Sequence, residues 1–143
     1  MNPLRLLVGR WLLPAAYLIA AALLLRGYVA VGDGFSAGAM AALGALAREV
    51  CTGRKAGAPR RSLPRIGVAG LLLVLVIALG PLLVGAPPVS HLPRPGAPTV
   101  QVGVVELHTA FLFDLGLAIL VYAAIRLSIE RLLAAADPPG GAR

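Results

Sequence analysis

The sequence has few charged residues. Asp, Glu, Lys and Arg make up 13% of its 143 residues, 59% are hydrophobic, and the mean hydropathy is +0.88. A soluble globular domain carries roughly 25% charged residues, so this chain has too few to cover a surface that faces water. The same composition suits a protein in lipid, because apolar side chains can then point outward. We therefore interpret the chain as an integral membrane protein.

Residues that build catalytic or metal sites are also scarce. Cys51 is the single cysteine, so it has no partner for an internal disulfide, and no His lies near it at the spacing of a metal ligand. The sequence shows no nucleophile–base pair, no glycine-rich phosphate loop and no acidic repeat that could hold a divalent cation. We therefore predict no catalytic residues, no metal site and no cofactor, and we do not expect an enzyme.

Four apolar runs have about the length that a bilayer requires. A helix rises 1.5 Å per residue, so about 20 residues cover a hydrocarbon core of roughly 30 Å. Helices are favoured because every backbone polar group in lipid must be satisfied within its own segment. The predicted spans are residues 11–31, 35–50, 66–86 and 104–126. The second is the shortest, and it becomes a full span only if it includes Arg48 and Glu49, with Arg48 reaching the headgroups.

The first run has a second interpretation. It follows Arg5 and Arg10 and could be the apolar part of a secretory signal peptide. It is long for that role, and Arg26 follows it directly, so a retained helix is favoured.

Basic residues orient the chain in the membrane. Thirteen Lys and Arg against six Asp and Glu give a formal charge of +7, and no nucleic-acid-binding motif accompanies it, so nucleic acid is not an expected partner. With the N-terminus in the cytoplasm, only Arg26 and Arg94 face the other side, as the positive-inside rule favours. We predict an all-α membrane protein with four transmembrane helices in two hairpins. Both termini are cytoplasmic, the proline-rich loop 87–103 is outside, and residues 134–143 form a short disordered tail.

Three polar residues in the fourth predicted span are candidates for an ion path or an interface. Asp114 lies about ten residues into that span, roughly 15 Å deep and near the midplane. A charge there costs a few kcal/mol, so Asp114 is either a proton or cation relay or a structural hydrogen-bonding group. Glu106 lies about 80° away around a helix, so both acids could face one side. Glu106 and His108, near the outer end, could join a proton path or anchor a subunit contact.

Glycines mark the connection between the first two spans. Gly32, Asp33 and Gly34 predict a tight turn, because glycine adopts backbone angles that other residues avoid. Gly34 and Gly38 form a G-x-x-x-G pair, which lets helix backbones approach closely. We expect these residues, together with Phe35, to set the turn and the packing of the first hairpin.

Two of these segments resemble a known family. The turn Gly32-Asp33-Gly34-Phe35 with the following Gly38, and the later stretch VVELHTAFLFDLG at 104–116, are similar to the B subunit of multisubunit Mrp-type (Mnh) sodium/proton antiporters. The resemblance covers about residues 6–133. The family turn usually reads Pro-Gly-Gly-Gly-Phe, and here Val31 and Asp33 replace its Pro and its middle Gly.

The resemblance implies a function. Such a chain is an accessory subunit of a plasma-membrane complex that exchanges Na⁺ or another monovalent cation for protons, and it supports assembly and coupled exchange with other membrane subunits. A related membrane-bound complex of the hydrogenase type uses similar subunits. A self-contained four-helix transporter is a further alternative, although such a protein needs a carboxylate in its first helix, which this chain lacks. A structural membrane adaptor without an ion path is the last.

Overall fold

A computed structural model describes residues 3–26, 33–53, 61–90, 101–102, 105–106 and 109–136. Within them lie four α-helices: α1 (Pro3–Arg26), α2 (Gly34–Thr52), α3 (Leu63–Leu79) and α4 (Thr109–Ala136). A 3-10 helix, Gly80–Val84, follows α3. Strands β1 (Gln101–Val102) and β2 (Val105–Glu106) form a two-residue antiparallel ladder before α4. The structure confirms the predicted all-α fold with four helices.

Three helical segments of the described chain are long and apolar enough to cross a membrane. They are Leu7–Arg26, Leu63–Val84 and Thr109–Ala136. The second segment includes the 3-10 helix, which begins where Pro81 cannot donate the next α-helical hydrogen bond. Helix α2 has 19 residues and carries Arg48 and Glu49 near its end, so its crossing of the membrane stays a prediction.

Helix bounds differ from the predicted spans in α1 and α4. Helix α1 begins at Pro3, eight residues before the predicted span. Helix α4 begins at Thr109 rather than at residue 104, because Val105 and Glu106 belong to a strand. The same helix continues through Ala136, so the first three residues of the predicted disordered tail are helical. Residues 137–143 lie outside the described residues.

The helices form two antiparallel hairpins that pack side by side. In the first, Gly44 of α2 lies against Ala16 of α1. In the second, Gly70 of α3 lies against Gly116 of α4. The hairpins meet through α2 and α4, which run parallel, so the order across the bundle is α1, α2, α4, α3. Each hairpin therefore contributes one inner helix and one outer helix.

Glycine makes the contact between α2 and α4 close. A Cβ atom at Gly34 would lie 2.8 Å from the Cα of Asp114, and one at Gly38 would lie 2.9 Å from the Cα of Ala118. Real Cβ atoms do not approach this closely, so only glycine allows the two backbones to touch. We predicted that Gly34 and Gly38 pack the first hairpin, but these contacts are with α4 and so join the two hairpins.

The remaining residues of the predicted turn contribute less to packing. Gly32 lies outside the described residues, and Phe35 is 61% exposed. Asp33 precedes α2 and forms an ion pair of 3.9 Å with Arg26 at the end of α1. That pair lies at the end of the hairpin that the charge distribution predicts to be outside.

The interior of the bundle is built from small side chains, and its exterior is apolar. Most buried hydrophobic residues are alanines, whereas Trp11, Leu18 and Leu83 are 67%, 72% and 91% exposed. An apolar exterior of this kind would cause aggregation in water, but it is stable in contact with lipid chains. The fold therefore agrees with a multi-pass membrane protein.

Candidate functional site

Four charged side chains are buried in the described bundle: Glu49, Asp114, Arg126 and Glu130. Arg126 has no exposed surface, and the three acids are each 6% exposed. Ionised groups in a lipid-embedded interior need partners, because removing them from water costs several kcal/mol each. These residues are therefore the candidates for a functional site.

Glu49 and Arg126 form a bidentate ion pair between the two hairpins. The two terminal nitrogens of Arg126 donate to the two carboxylate oxygens of Glu49 at 2.9 and 2.8 Å. This arrangement matches the planar fork of the guanidinium to the carboxylate and is among the stronger side-chain interactions. Glu49 lies in the last turn of α2, and Arg126 lies in the second half of α4. The pair therefore joins the parallel inner helices at their C-terminal side.

Glu130 is the second carboxylate beside this arginine. It lies four residues after Arg126 on α4, which places both on one face of the helix, and its Oε1 is 3.9 Å from a terminal nitrogen of Arg126. The distance is that of an ion pair, not of a hydrogen bond. The Nε of Arg126 is buried and finds no hydrogen-bond acceptor within the described residues. One guanidinium thus lies between two acids in the buried part of the bundle.

A small polar pocket lies against Glu49. Its volume is about 50 Å³, which is enough for a water molecule when polar groups line it. The lining residues come from α1, α2 and α4: Leu13, Tyr17, Ala45, Arg48, Glu49, Thr52 and Tyr122. The Thr52 hydroxyl donates to the backbone carbonyl of Arg48 at 2.8 Å. The ion pair therefore borders a space that can be hydrated.

Asp114 lies at the other end of the contact between α2 and α4. Because α4 begins at Thr109, Asp114 is about 7.5 Å from the N-terminal end of the helix. The predicted depth of roughly 15 Å assumes a helix that begins at residue 104, and the depth of Asp114 in the bilayer stays a prediction. The residue is buried, and its backbone touches Gly34, the first residue of α2.

The other two sequence candidates do not join Asp114 on a helix. Glu106 lies in β2, paired with Gln101 of β1, so the predicted helical relation between Glu106 and Asp114 is wrong. A short apolar run does not by itself distinguish a strand from the first turn of a helix. His108 lies outside the described residues. Whether any of the three residues contacts an ion stays a prediction.

Sequence reasoning missed the Glu49–Arg126–Glu130 cluster. The positive-inside rule treats Arg126 as a cytoplasmic charge at the end of the last span, and hydropathy treats Glu49 only as part of the shortest span. One signal was available, since an acid near one span end and a base near another must find partners if both helices enter lipid. Glu49 and Arg126 are 77 residues apart in the sequence, so the sequence alone does not show that their helices pack together.

The fold and the buried charges define a polytopic helical membrane protein whose two hairpins are joined by an internal ion pair. The family described as "Domain related to MnhB subunit of Na+/H+ antiporter" matches residues 5–127. The chain therefore belongs to the MnhB family, which confirms the resemblance drawn from the two sequence segments. The matched region contains Glu49, Asp114 and Arg126, and it ends before Glu130. A comparison with characterised proteins produced no match.

Proposed function

We propose that the chain is an accessory membrane subunit of a multisubunit Na⁺/H⁺ antiporter complex, in which it supports assembly and proton-coupled cation exchange. The observation that carries this proposal is the match to the MnhB family across residues 5–127. The described residues contain no group of three or more His, Cys, Asp or Glu side chains that could hold a metal ion. In the proposed role, other subunits carry the exchanged protons and monovalent cations, and this subunit contributes through its own polar groups.

The arrangement of the helices supports a role in assembly. Among the described helices, only α2 and α4 have neighbours on both sides, so α1 and α3 each offer an outer face to lipid or to a partner subunit. Large side chains such as Leu18 and Leu72 are exposed on these faces. We place the chain in the cell membrane with both termini in the cytoplasm, because Arg61 and Arg65 lie exposed at the start of α3.

The buried acids support a role in coupling. Asp114 and Arg126 are twelve residues apart on α4, or about 18 Å along its axis. Asp114 lies level with the start of α2, whereas the Glu49–Arg126 pair lies level with its last turn. We propose Asp114 as the group that exchanges a proton and the ion pair as the element that holds α2 and α4 in register. Glu106 and His108 are proposed as contacts to a partner subunit on the outer side.

Membership of a complex is tested by purifying the tagged chain in a mild detergent and identifying its companions by mass spectrometry. We expect large antiporter subunits and several small membrane subunits. Redox subunits of the hydrogenase type among them would assign the chain to the alternative parent complex. A chain recovered alone or as a homodimer would contradict the proposal and favour a self-contained transporter.

The coupling role is tested with Asp114→Asn in the intact complex. We expect Na⁺-dependent proton exchange in membrane vesicles to fall by roughly tenfold or more, as for loss of a proton-transferring group, while co-purification of the other subunits is unchanged. Asp33→Asn is the matched control, because Asp33 is a partly exposed acid outside α2 and α4. An Asp114→Asn complex that assembles and exchanges ions at the normal rate would sink the relay role.

A further inference from the structure

An apolar groove runs along one side of the bundle. It holds a cavity of about 240 Å³ between α1, α2 and α4, with Ile66 of α3 at one edge. Small side chains form most of its wall, among them Ala20, Ala21, Ala37, Ala41 and Ala118. Tyr122 lies at the end of the groove nearest to the ion pair.

The groove adjoins the small polar pocket beside Glu49. Tyr122 lines both spaces. On α2 the lining residues Ala37, Ala41, Ala45 and Arg48 recur at intervals of three or four and therefore share one face. From Ala37 to Arg48 this face is about 16 Å long. That length is close to one leaflet of a bilayer, which is half of a hydrocarbon core of roughly 30 Å.

Positive charge lies at the polar end of the groove. Arg48 lines the pocket and is half-buried. Arg10 is exposed on α1, three residues before Leu13, which also lines the pocket, so the two lie on one face. The Glu49 carboxylate accepts two short hydrogen bonds from Arg126, so its charge is compensated. The polar end therefore presents two arginines to an approaching anion.

We propose that this groove binds one acidic phospholipid, with its phosphate between Arg10 and Arg48 and an acyl chain along α2 toward Ala37. The division into a basic end and an apolar end one leaflet long matches the shape of a lipid. An acyl chain also fits a cavity of about 240 Å³ better than a helix of a partner subunit does, since a helix with its side chains is about 10 Å across. The assignment to the cytoplasmic leaflet rests on the proposed topology, but the binding itself does not depend on antiport.

The test uses the full chain purified in a mild detergent and titrated with phosphatidylglycerol or phosphatidylcholine, with bound lipid counted by native mass spectrometry. We expect one phosphatidylglycerol to bind tightly and phosphatidylcholine to bind more weakly. Arg48→Gln and Arg10→Gln should each weaken phosphatidylglycerol binding by about fivefold. Ala41→Leu should reduce binding of both lipids, because the added side chain fills the apolar groove.

Matched controls separate this site from general attraction to the surface. Arg65→Gln removes an exposed arginine at the same end of the bundle, and Ala69→Leu enlarges an exposed alanine of α3; neither residue lines the groove. Both should bind like the unaltered chain. Equal losses in Arg65→Gln and Arg48→Gln, or no loss in Arg48→Gln and Arg10→Gln, would overturn the proposal.

A partner helix in the groove is tested separately in the intact complex. Ala21→Cys is introduced together with Cys51→Ser, so that the only thiol of the chain lies at the groove. High-yield cross-linking of this thiol to another subunit would overturn the lipid proposal. Its modification by a lipid-soluble maleimide without such a cross-link would support it. Failure of the antiporter proposal would leave the binding results of the purified chain unaffected.

Discussion

Removing Arg126 should destabilise the protein more than neutralising its ion-pair partner Glu49. In Arg126→Met the guanidinium is lost, and two buried acids, Glu49 and Glu130, remain without it. Removing one partner of a buried ion pair typically costs about 3–5 kcal/mol, because the other charge stays buried. In Glu49→Gln the arginine keeps Glu130 at ion-pair distance, and the new amide can still accept one hydrogen bond. We therefore expect a smaller cost, about 1–3 kcal/mol.

Unfolding in mixed detergent micelles, followed by circular dichroism during titration with sodium dodecyl sulfate, measures these differences. Arg131→Met is the matched control, because Arg131 lies on the same helix and is exposed. The double variant Glu49→Gln/Arg126→Met should lose less stability than the sum of the two single variants, since the groups interact directly. Equal stability of Arg126→Met and Arg131→Met, or strict additivity in the double variant, would refute the reasoning.

Two further predictions concern backbone positions and use the same unfolding measurement. Gly38→Ala should destabilise the bundle by about 1–3 kcal/mol, because its Cβ would meet the α4 backbone near Ala118. Gly80→Ala is the control and should be tolerated, because no atom lies within 4 Å of the added Cβ. Equal losses of stability at both sites would contradict the close approach of α2 and α4. Gly53→Ala should cost about 1 kcal/mol, because Gly53 ends α2 with φ of 68°; unchanged stability would show that this cap does not hold the end of α2.

Much of the fold could be predicted from the sequence because the bilayer imposes simple rules. The thickness of the hydrocarbon core sets helix length, and the need to satisfy backbone polar groups sets the helical state. These rules located all four helices and both hairpins. They failed at the start of α4, where an apolar run containing Val105 continues a hydropathy signal although the backbone forms a strand.

The candidate site was harder to predict because it depends on how the hairpins dock. Hydropathy and periodicity describe each helix separately, so they placed Asp114 on α4 but did not show that it lies against Gly34. The Glu49–Arg126 pair requires α2 and α4 to be parallel neighbours, which no local pattern in the sequence specifies. The G-x-x-x-G pair predicted a close helix contact, but the same small-residue pattern would have suited either α1 or α4 as the partner.

The contact between α2 and α4 combines two kinds of interaction because the hydrophobic effect cannot hold helices together inside lipid. At the N-terminal end of α2, Gly34 and Gly38 allow backbone contact with α4. Near the C-terminal end of α2, side chains connect the two helices, because Glu49 and Arg126 form a directional ion pair. Sliding one helix by a single residue, about 1.5 Å, would break both the glycine contacts and the bidentate geometry. The two hairpins are therefore fixed in one register, and Asp114 is held at a defined depth relative to the ion pair. If the chain couples proton movement to its partners, the conformational change that follows protonation of Asp114 has to pass through the contact between α2 and α4. Gly38→Ala should therefore impair exchange even where the complex still assembles. Normal exchange in an assembled Gly38→Ala complex with reduced stability would show that the register of α2 and α4 serves folding alone.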